Sequence, residues 1–516
     1  YTPATAWAAW QLVADGLYFH GSPAEVVAAT EAKVAREVAG RKARAAEERA
    51  RSAFMTRLRA RCTLPEDAAY LRDVEELAWG RANRSAVLRE LGRTESLESA
   101  HALLLDLGHW DHTVDPYPHR LKLSSKPVVA DLPSLPDEER LDLTHLPAFA
   151  IDDEGNQEPD DALSLEGHRL WVHIADVAAL VPPDSPVDLE ARARGASLYL
   201  PEGTVDMLPL QAIQSLGLGL AEVSPALSFG LDLNAEGQTE GIEIVPSWVR
   251  ATRLTYAQAD QQLGEEPLKG LFQMAQRNRE RRREQGAVLI ELPEVKVWVE
   301  GAQVSVQPIP PLHSRDLVTE AMVMAGEAVA YYALRESIPI PFMTQDPPGS
   351  EERPQDLAGM YALRRTLRPS HPSSAPGPHA GLGLAANTQA TRALRRYLDL
   401  VTHQQLRAHL RGETLLQEGE VLERIGAASA VMGSVRQAER LARRHWTLVY
   451  LQQHSDWCGE GILVENRGRR ATAIIPDLDL DARLHLRQDL PLNSPVQLVV
   501  AKIRLPELIA HFQMAG

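Results

Sequence analysis

The amino-acid sequence predicts a multidomain α+β protein with a helical amino-terminal domain, a mixed α/β central domain and a carboxy-terminal five-stranded β-barrel of the OB type. Length is the first reason, because 516 residues exceed what one hydrophobic core usually supports. The second reason is that the first third of the chain is rich in Ala, Arg and Glu and carries helix start and stop signals. The third is that residues 455–516 break into short alternating segments separated by turn residues.

Helical signals fill the predicted amino-terminal domain, residues 1–130. The letters SPAE, residues 22–25, match a capping box with proline at the first helical position, which predicts one long helix through Arg61. Residues 84–111 then predict two helices, separated by a turn at Gly92 and ended at Gly108. This is the pattern of a helix-turn-helix. Such a pair either contacts nucleic acid or, like most helical hairpins, only packs.

A linker and a mixed domain follow, together residues 131–454. The proline-rich stretch from Tyr117 to Pro147 predicts a linker around the start of this domain. Beyond it, strand-like runs such as LWVHIADVAALV alternate with helical runs such as SRDLVTEAMVMAGEAVAYYALRE, which is typical of a mixed α/β domain.

Five short runs predict the last domain, residues 455–516: EGILVEN, RRATAIIP, RLHLR, VQLVVAKIR and LIAHFQ. Five strands in so short a span favour a Greek-key barrel of the OB type, a common binder of oligonucleotides. A small unrelated β-domain is the alternative.

Composition and charge restrict the classes of protein that remain. The chain has 54 Lys and Arg against 70 Asp and Glu, a net charge of −16, which argues against general affinity for nucleic acid but not against a buried basic channel. Cys62 and Cys458 lack CxxC spacing, so neither a disulfide framework nor a zinc site is expected. Without a run of 18 apolar residues or a secretory signal, we expect a cytoplasmic protein that does not enter a membrane.

A dense carboxylate cluster lies in the stretch FAIDDEGNQEPDDALSL, residues 149–165. Its members are Asp152, Asp153, Glu154, Glu158, Asp160 and Asp161. A solvated loop is the ordinary explanation of an acidic run. Here apolar, strand-like chain follows at once, so the carboxylates lie at a strand edge, where they repel one another and their pKa values rise. A divalent cation is the usual compensation for such a cluster.

The residue types around the cluster restrict the identity of that cation. A calcium-binding EF-hand starting at Asp152 fails, because Gln157 stands where the glycine belongs and Leu163 where the bidentate Glu belongs. No His or Cys is interleaved, which disfavours zinc. Oxygen ligands suit Mg²⁺, with Mn²⁺ able to substitute, and two such ions can support phosphodiester cleavage.

Two basic segments could supply the cations that phosphate chemistry needs. TRALRRYLD carries Arg392, Arg395 and Arg396 directly after a glycine-rich loop. GSVRQAERLARRHW places four arginines on one helix face: Arg436, Arg440, Arg443 and Arg444. Taken alone, each segment either lines a phosphate channel or is a solvated helix face.

Three stretches of the central domain carry a family resemblance. They are AIDDEGNQEPDDALSL with LWVHIADVAALVPPDSPVDLEARARGASLYLPEGTVDMLP, then SRDLVTEAMVMAGEAVA, then PGPHAGLGLAANTQATRALRRYLDLVTHQQL, within roughly residues 148–410. In this order they resemble the ribonuclease II (RNB) family of processive 3′-to-5′ exoribonucleases, whose terminal OB-fold domain the last segment also resembles. The resemblance implies a monomer that hydrolyses single-stranded RNA to nucleoside 5′-monophosphates with Mg²⁺, with DNA not a substrate.

The resemblance also implies roles for individual residues. The family's four acidic positions fall on Asp152, Glu158, Asp160 and Asp161. Asp152 and Asp161 would be direct metal ligands, while Asp160 and Glu158 would hold a second ion or orient the water. Arg395 matches the arginine that contacts the scissile phosphate, and we expect Arg396 beside it to bind RNA. Tyr199 falls where the family stacks an aromatic ring on a base at the 3′ end.

Two residues near this motif have a structural interpretation instead. His173 and Asp176, in VHIADV, are expected to support the fold, because a histidine on a buried strand more often satisfies a neighbouring polar group than performs chemistry.

Several positions depart from the family pattern. Glu158 stands where Asp is usual, so its oxygens lie farther out, and Arg392-Ala393 replaces the usual Ser-Pro. Gln345 replaces a family His, and helices take the place of paired cold-shock barrels. Glu158 and Arg392-Ala393 support a second hypothesis, a catalytically weakened RNB scaffold that binds RNA. A third, a transcription regulator that uses residues 84–111, would require sequence-selective binding to duplex DNA.

Overall fold

The computed structural model describes residues 2–22, 24–350 and 352–515. The chain forms two compact units, residues 1–114 and 115–516. Each has its own hydrophobic core.

The first unit is mainly helical, as predicted. Its elements are α1 (Pro3–Asp15), β1 (Phe19–Ser22), β2 (Glu25–Ala28), α2 (Glu31–Arg59), α3 (Ala68–Ala78), α4 (Ala86–Glu90) and α5 (Leu97–Asp106). The core of this unit joins the end of α2 to α3, α4 and α5 through residues such as Phe54, Leu71, Leu88 and Leu104.

The predicted capping box at residues 22–25 is wrong. Ser22 and Glu25 face each other in the hairpin of β1 and β2, and Pro23 lies outside the described residues. The long helix begins only at Glu31, where the Thr30 side chain accepts a hydrogen bond of 3.4 Å from the Lys33 N–H. Strand pairing takes up Ser22 and Glu25, and Thr30 provides the helix cap instead.

The two helices predicted in residues 84–111 are present as α4 and α5. Ser85 caps the first and Ser96 the second. Gly92 and Gly108 have φ values of 68° and 63°, left-handed conformations that glycine adopts without steric cost. This part of the unit has the predicted helix-turn-helix pattern.

The second unit opens with the mixed α/β part. Its elements are α6 (Tyr117–Arg120), β3 (Leu141–Asp142), β4 (Ala148–Asp152), β5 (Asp161–Glu166), β6 (Arg169–Ala175), α7 (Pro186–Arg194), β7 (Leu198–Leu200), β8 (Gly203–Val205), α8 (Leu210–Leu216), β9 (Ser224–Leu233), β10 (Thr239–Val249), β11 (Ala251–Thr255), α9 (Tyr256–Gln261), α10 (Leu268–Glu284), β12 (Val295–Glu300), β13 (Gln303–Pro308), α11 (His313–Glu336), β14 (Phe342–Thr344), α12 (Leu357–Arg364), β15 (His371–Ser373), α13 (Tyr397–Leu410) and α14 (Glu418–Gln453).

A seven-stranded sheet organises this part, in the order β11-β4-β5-β6-β9-β10-β3. The inner pairs from β4 to β10 are antiparallel, whereas β11 runs parallel to β4 and β3 parallel to β10. Helix α11 packs against β6, β9 and β10. By length and composition α11 alone among the described helices could cross a membrane, but 72% of its most apolar window is buried, as expected for a core helix.

The last part of the unit is the predicted five-stranded barrel. Its strands are β16 (Cys458–Arg467), β17 (Arg470–Ile475), β18 (Leu480–His485), β19 (Pro495–Arg504) and β20 (Ile509–Met514). All neighbours are antiparallel in the order β18-β17-β16-β19-β20. Strands β18 and β20 also contact each other, so the sheet nearly closes. The predicted fold class is therefore confirmed.

Candidate active site

The acidic stretch forms the connection between two neighbouring strands of the large sheet. Asp152 is the last residue of β4 and Asp161 the first of β5, so both carboxylates lie at the same end of an antiparallel pair. The loop between them is anchored at its far end: the Leu218 N–H donates to the Pro159 carbonyl at 2.9 Å, and the Ala175 N–H to the Asp160 carbonyl at 2.8 Å. The strand-edge position predicted for the cluster is present.

Asp160 connects the acidic loop to the arginine segment. Its side chain is fully buried, and its Oδ1 accepts a hydrogen bond of 2.8 Å from the Leu394 N–H. Its Oδ2 lies 2.7 Å from the Arg395 Nε, an ion pair without the alignment of a hydrogen bond. Burial raises the pKa of Asp160 to about 6, while Arg395 opposes the rise. Asp160 and Arg395, for which the family resemblance implies catalytic roles, are therefore in direct contact.

Asp152 and Asp161 carry negative charge that the protein compensates only in part. Burial raises the pKa of the Asp161 carboxyl to about 7, and the nearby Asp152 adds to the rise. Burial also raises the pKa of Asp152. Two neighbouring carboxylates with raised pKa values favour either a proton or a cation between them.

Glu158 is held by two hydroxyl groups. Its Oε1 accepts a hydrogen bond of 3.0 Å from the Ser197 hydroxyl, and its Oε2 accepts one from the Tyr199 hydroxyl. Burial raises the pKa of Glu158 to about 7, although the Tyr199 hydrogen bond lowers it. Both carboxylate oxygens of Glu158, the residue that departs from the family pattern, therefore accept hydrogen bonds from within the protein.

Tyr199 lies in the hairpin of β7 and β8, with its hydroxyl at Glu158. The residue is 40% exposed, so part of it remains accessible to a ligand. Its backbone N–H donates a 3.0 Å hydrogen bond to the Glu439 carboxylate of α14. The segment before the hairpin is tied to the arginine segment, because the Ser197 N–H donates to the Arg395 carbonyl at 3.0 Å.

Asp399, near the start of α13, shapes the arginine segment. Its Oδ1 accepts hydrogen bonds from the backbone N–H groups of Thr391 and Arg392, at 3.0 and 2.8 Å. The same oxygen lies 2.6 Å from an Arg396 Nη. Arg396, which we expected to bind RNA, thus has a structural partner, although a quarter of its side chain remains exposed.

Arg392 differs from Arg395 and Arg396 in having no ion pair within the part of the chain that the structure describes. Its side chain is exposed, and its charge opposes the rise in the pKa of Asp161. A phosphate near the carboxylates would therefore meet a free guanidinium at the position where the family usually has serine.

The remaining acidic residues and the two motif residues given a structural role make other contacts. Asp153 pairs with Arg315 on α11, and the Glu154 carbonyl accepts a 3.2 Å hydrogen bond from Lys296 Nζ. His173 hydrogen-bonds with Ser164 and Ser228, and burial lowers its pKa to about 3. Asp176 pairs with Arg140 and Arg407. His173 and Asp176 are fully buried and support the fold.

The carboxylates fit a divalent cation only in part. Across residues 2–22, 24–350 and 352–515, no group of three or more His, Cys, Asp or Glu stands ready to hold a metal ion. Mg²⁺ in proteins often needs only one or two carboxylates, with water and substrate phosphate completing the shell. Asp152 and Asp161 fit that requirement. Glu158 and Asp160, with both oxygens engaged, do not supply free ligands for a second ion in this arrangement.

Sequence reasoning missed three residues that organise the site: Ser197, Asp399 and Glu439. Each is a common residue type without a motif of its own. Ser197 lies two residues before Tyr199 in the stretch that carries the family resemblance, and Asp399 follows Arg396 by three residues, a helical spacing that favours an ion pair. These local signals were available, whereas nothing in the sequence connects Glu439 to Tyr199.

The strand-edge carboxylates, the adjoining arginine segment and the OB-type barrel together define the class of fold. Comparison with known proteins identifies it: the family model RNB domain matches residues 140–360, and the model Double HTH domain matches residues 34–116. The chain belongs to the RNB family.

Two curated relatives extend this similarity. An uncharacterized ribonuclease of Synechocystis sp. is 36% identical over 412 residues, covering 73% of this chain and 61% of that protein. The chloroplastic/mitochondrial ribonuclease II of Arabidopsis thaliana is 30% identical over 428 residues, covering 75% of this chain and 52% of that protein. The chain thus spans between about half and three fifths of the length of these relatives.

Solved structures share the fold at low sequence identity. Dss1 exoribonuclease from Candida glabrata superposes with a TM-score of 0.74 at 18% identity, covering 90% of this chain and 69% of that chain. Mycoplasma genitalium RNase R in complex with ribose-methylated single-stranded RNA superposes with a TM-score of 0.65 at 18% sequence identity, covering 80% of this chain and 77% of that chain. Yeast Ssd1, described as a pseudonuclease, superposes with a TM-score of 0.56 at 18% sequence identity, covering 67% of this chain and 50% of that chain.

Proposed function

We propose that the protein is a 3′-to-5′ exoribonuclease that degrades single-stranded RNA processively to nucleoside 5′-monophosphates, acting as a cytoplasmic monomer with Mg²⁺ or Mn²⁺. The observation that carries the proposal is the contact of buried Asp160 with Arg395, next to Asp152 and Asp161. Acidic ligands and a phosphate-binding cation are the two elements that metal-assisted phosphodiester hydrolysis requires. The relatives named as ribonucleases support the same activity.

Arg395 is suited to bind a phosphate while its own side chain stays fixed by Asp160. Its Nε faces Asp160, and no other ion pair of Arg395 occurs among the described residues. The two Nη groups of a guanidinium provide further donors in a rigid plane. They are therefore available for oxygens of the scissile phosphate, where they would stabilise charge that develops during hydrolysis. Asp160 acts here by fixing the orientation of Arg395.

Asp152 and Asp161 would hold the cation. A bound divalent cation supplies a water of lowered pKa and neutralises charge on the phosphate. The raised pKa values of these carboxyls mean that protons compete with the cation, so cation binding should strengthen as the pH rises to about 7 and above.

Tyr199 would define the position of the 3′ end. Its hydroxyl is fixed by Glu158, and its backbone by Glu439. The exposed part of the ring then offers a flat surface on which the terminal base can stack, a contact that tolerates any base. The nearly closed barrel would hold the strand farther from the scissile bond, as OB-type barrels commonly do.

The test uses purified protein and single-stranded RNA of about 20 nucleotides, longer than the roughly 4 to 16 that one OB-type barrel covers. With a 5′ label and Mg²⁺, the products should shorten from the 3′ end, and chromatography should identify nucleoside 5′-monophosphates. Single-stranded DNA of the same sequence should persist. Internal cleavage, nucleoside 3′-monophosphates or shortening from the 5′ end would contradict the proposal.

A second candidate is an RNA-binding scaffold with weakened catalysis. The engagement of both Glu158 oxygens with Ser197 and Tyr199 favours it, and a protein of the same fold is described as a pseudonuclease. RNA binding without degradation in either Mg²⁺ or Mn²⁺ would support the scaffold over the nuclease.

A further inference from the structure

A cleft of about 560 Å³ lies between α12, α14 and the carboxy-terminal barrel. Five arginines line it: Arg364, Arg365, Arg440, Arg443 and Arg444. Only two carboxylates, Asp479 and Asp481, belong to the same lining. In a chain whose net charge is −16, this local excess of positive charge departs sharply from the average surface.

Most of this positive charge is not neutralised inside the protein. Arg444 donates to the Leu508 carbonyl at 2.7 Å, a neutral acceptor, and Arg443 lies 4.0 Å from Asp479. Arg365 pairs with Glu465 of the barrel. Arg364 and Arg440 form no ion pair with any residue that the structure describes. Two guanidinium groups therefore remain fully available to an anion.

The walls of the cleft are fixed to each other. The Asn493 side chain of the barrel accepts a hydrogen bond from the Ala358 N–H and donates one to Asp356, both at 2.9 Å. Apolar residues of α12 pack against the barrel core around Val464 and Ile474. Arginines held on such a frame bind a multiply charged chain at a lower cost in ordering than arginines on flexible loops.

Helix α14 also connects the cleft to the candidate active site. Glu439 accepts the hydrogen bond from the Tyr199 backbone, and the next residue, Arg440, lines the cleft. With a rise of about 1.5 Å per residue, Arg440 and Arg444 are about 6 Å apart along the helix axis. Helix α14 therefore contacts the Tyr199 hairpin and also supplies arginines to the cleft.

We propose that this arginine cleft binds the phosphate backbone of single-stranded RNA upstream of the 3′ end. The assignment of that RNA as a substrate rests on the proposed exoribonuclease function, but binding does not. The chemistry of recognition is sequence-independent: guanidinium groups contact phosphates, and Tyr361 in the lining offers a ring for stacking.

The test compares RNA affinity of the full chain with that of the double variant R364Q/R440Q, with EDTA present so that no hydrolysis occurs. The matched control is R250Q/R335Q, which removes two exposed arginines of the same unit that lie outside the cleft. Fluorescence anisotropy with labelled single-stranded RNA of about 20 nucleotides gives Kd over a range of salt concentrations. Each single variant is measured as well, with thermal unfolding as the check on folding.

The cleft variant should raise Kd about tenfold near physiological salt and reduce the slope of log Kd against log salt by about 1.4, which is about 0.7 for each of the two phosphates that the variant no longer neutralises. The control should remain within about twofold of the unmodified protein. The proposal would be overturned if the cleft variant bound RNA as tightly as the unmodified protein. It would also be overturned if the control variant lost as much RNA affinity as the cleft variant. RNA that is bound through the cleft but never degraded with Mg²⁺ would instead contradict the proposed function alone.

Discussion

Removal of the Tyr199 hydroxyl separates two proposed contributions of this residue: stacking of the ring on a base, and orientation of the ring through Glu158. Tyr199→Phe retains the ring and deletes the hydrogen bond to Glu158. A hydrogen bond to a charged acceptor contributes about 1.5–3 kcal/mol. Because the pKa of Glu158 is raised to about 7, the acceptor is only partly ionised at neutral pH, which favours the lower figure. We therefore expect kcat/KM to fall about tenfold, the equivalent of about 1.4 kcal/mol.

A double-mutant cycle with Glu158→Asp tests whether the hydroxyl acts through this carboxylate. Aspartate is one methylene shorter, so it should no longer reach the hydroxyl, and it restores the residue usual in the family. Tyr199→Phe should then have almost no further effect, which corresponds to a coupling energy of about 1.4 kcal/mol. Tyr199→Ala should lose a further 1–3 kcal/mol or so, because stacking disappears as well.

The assay is the degradation rate of a short single-stranded RNA under single-turnover conditions, with product length read on a sequencing gel. Tyr331→Phe, at an exposed tyrosine of α11, is the control and should match the unmodified protein. A tenfold effect of Tyr199→Phe that persists in the Glu158→Asp background would refute orientation through Glu158. Equal rates for the Phe and Ala variants would refute stacking.

Three further predictions concern the cation, a carboxyl pair and an unpaired arginine. EDTA should stop RNA degradation without preventing RNA binding, and Mg²⁺ or Mn²⁺ should restore it; degradation that continues in chelator would exclude the metal. Asp115→Asn should stabilise the protein above neutral pH, because burial and the adjoining Glu202 raise the pKa of Asp115. The stability from this group is present below its ordinary pKa of 3.8 and is lost as the pH rises through the raised value. Thermal unfolding between about pH 5 and pH 9 should show a loss of a few degrees that the Asn variant lacks; parallel curves would contradict this. Arg392→Ala should lower kcat/KM about tenfold, whereas Arg392→Lys should lower it less, because charge near the phosphate is partly kept; equal rates in all three proteins would mean that Arg392 does not contact substrate.

The parts of the site that sequence could predict are those encoded by local patterns. Asp152 and Asp161 flank a turn between two apolar runs, so their position at a strand edge follows from strand pairing alone. The alternating segments after residue 455 predicted the barrel for the same reason. Gly92 and Gly108 marked helix ends because few other residues adopt their backbone conformation.

The parts that sequence could not predict depend on contacts across the fold. Asp160 and Leu394 are 234 positions apart, and residue type alone gives no reason for Asp160 to meet Arg395 rather than a metal ion. Glu158 likewise was expected to face a cation, but its longer side chain reaches Ser197 and Tyr199. The SPAE segment failed for a different reason: a capping pattern stabilises a helix only if the chain does not satisfy its backbone by strand pairing.

The central claim is that the acidic cluster and Arg395 form a hydrolytic centre, and Asp160→Asn tests it most directly. Asparagine retains the acceptor for the Leu394 N–H but removes the charge that pairs with Arg395. Glu154→Gln, at an exposed carboxylate of the same loop, is the matched control.

The measurement is the single-turnover rate of RNA hydrolysis in Mg²⁺, together with RNA affinity in EDTA, for both variants after thermal unfolding has confirmed that they are folded. Asp160→Asn should lower the rate by at least about 1,000-fold, about 4 kcal/mol of transition-state stabilisation, with RNA affinity level or slightly higher. Glu154→Gln should keep a rate close to that of the unmodified protein. If Asp160→Asn retains more than about a tenth of the rate, the acidic cluster is a structural loop and the hydrolytic centre lies elsewhere.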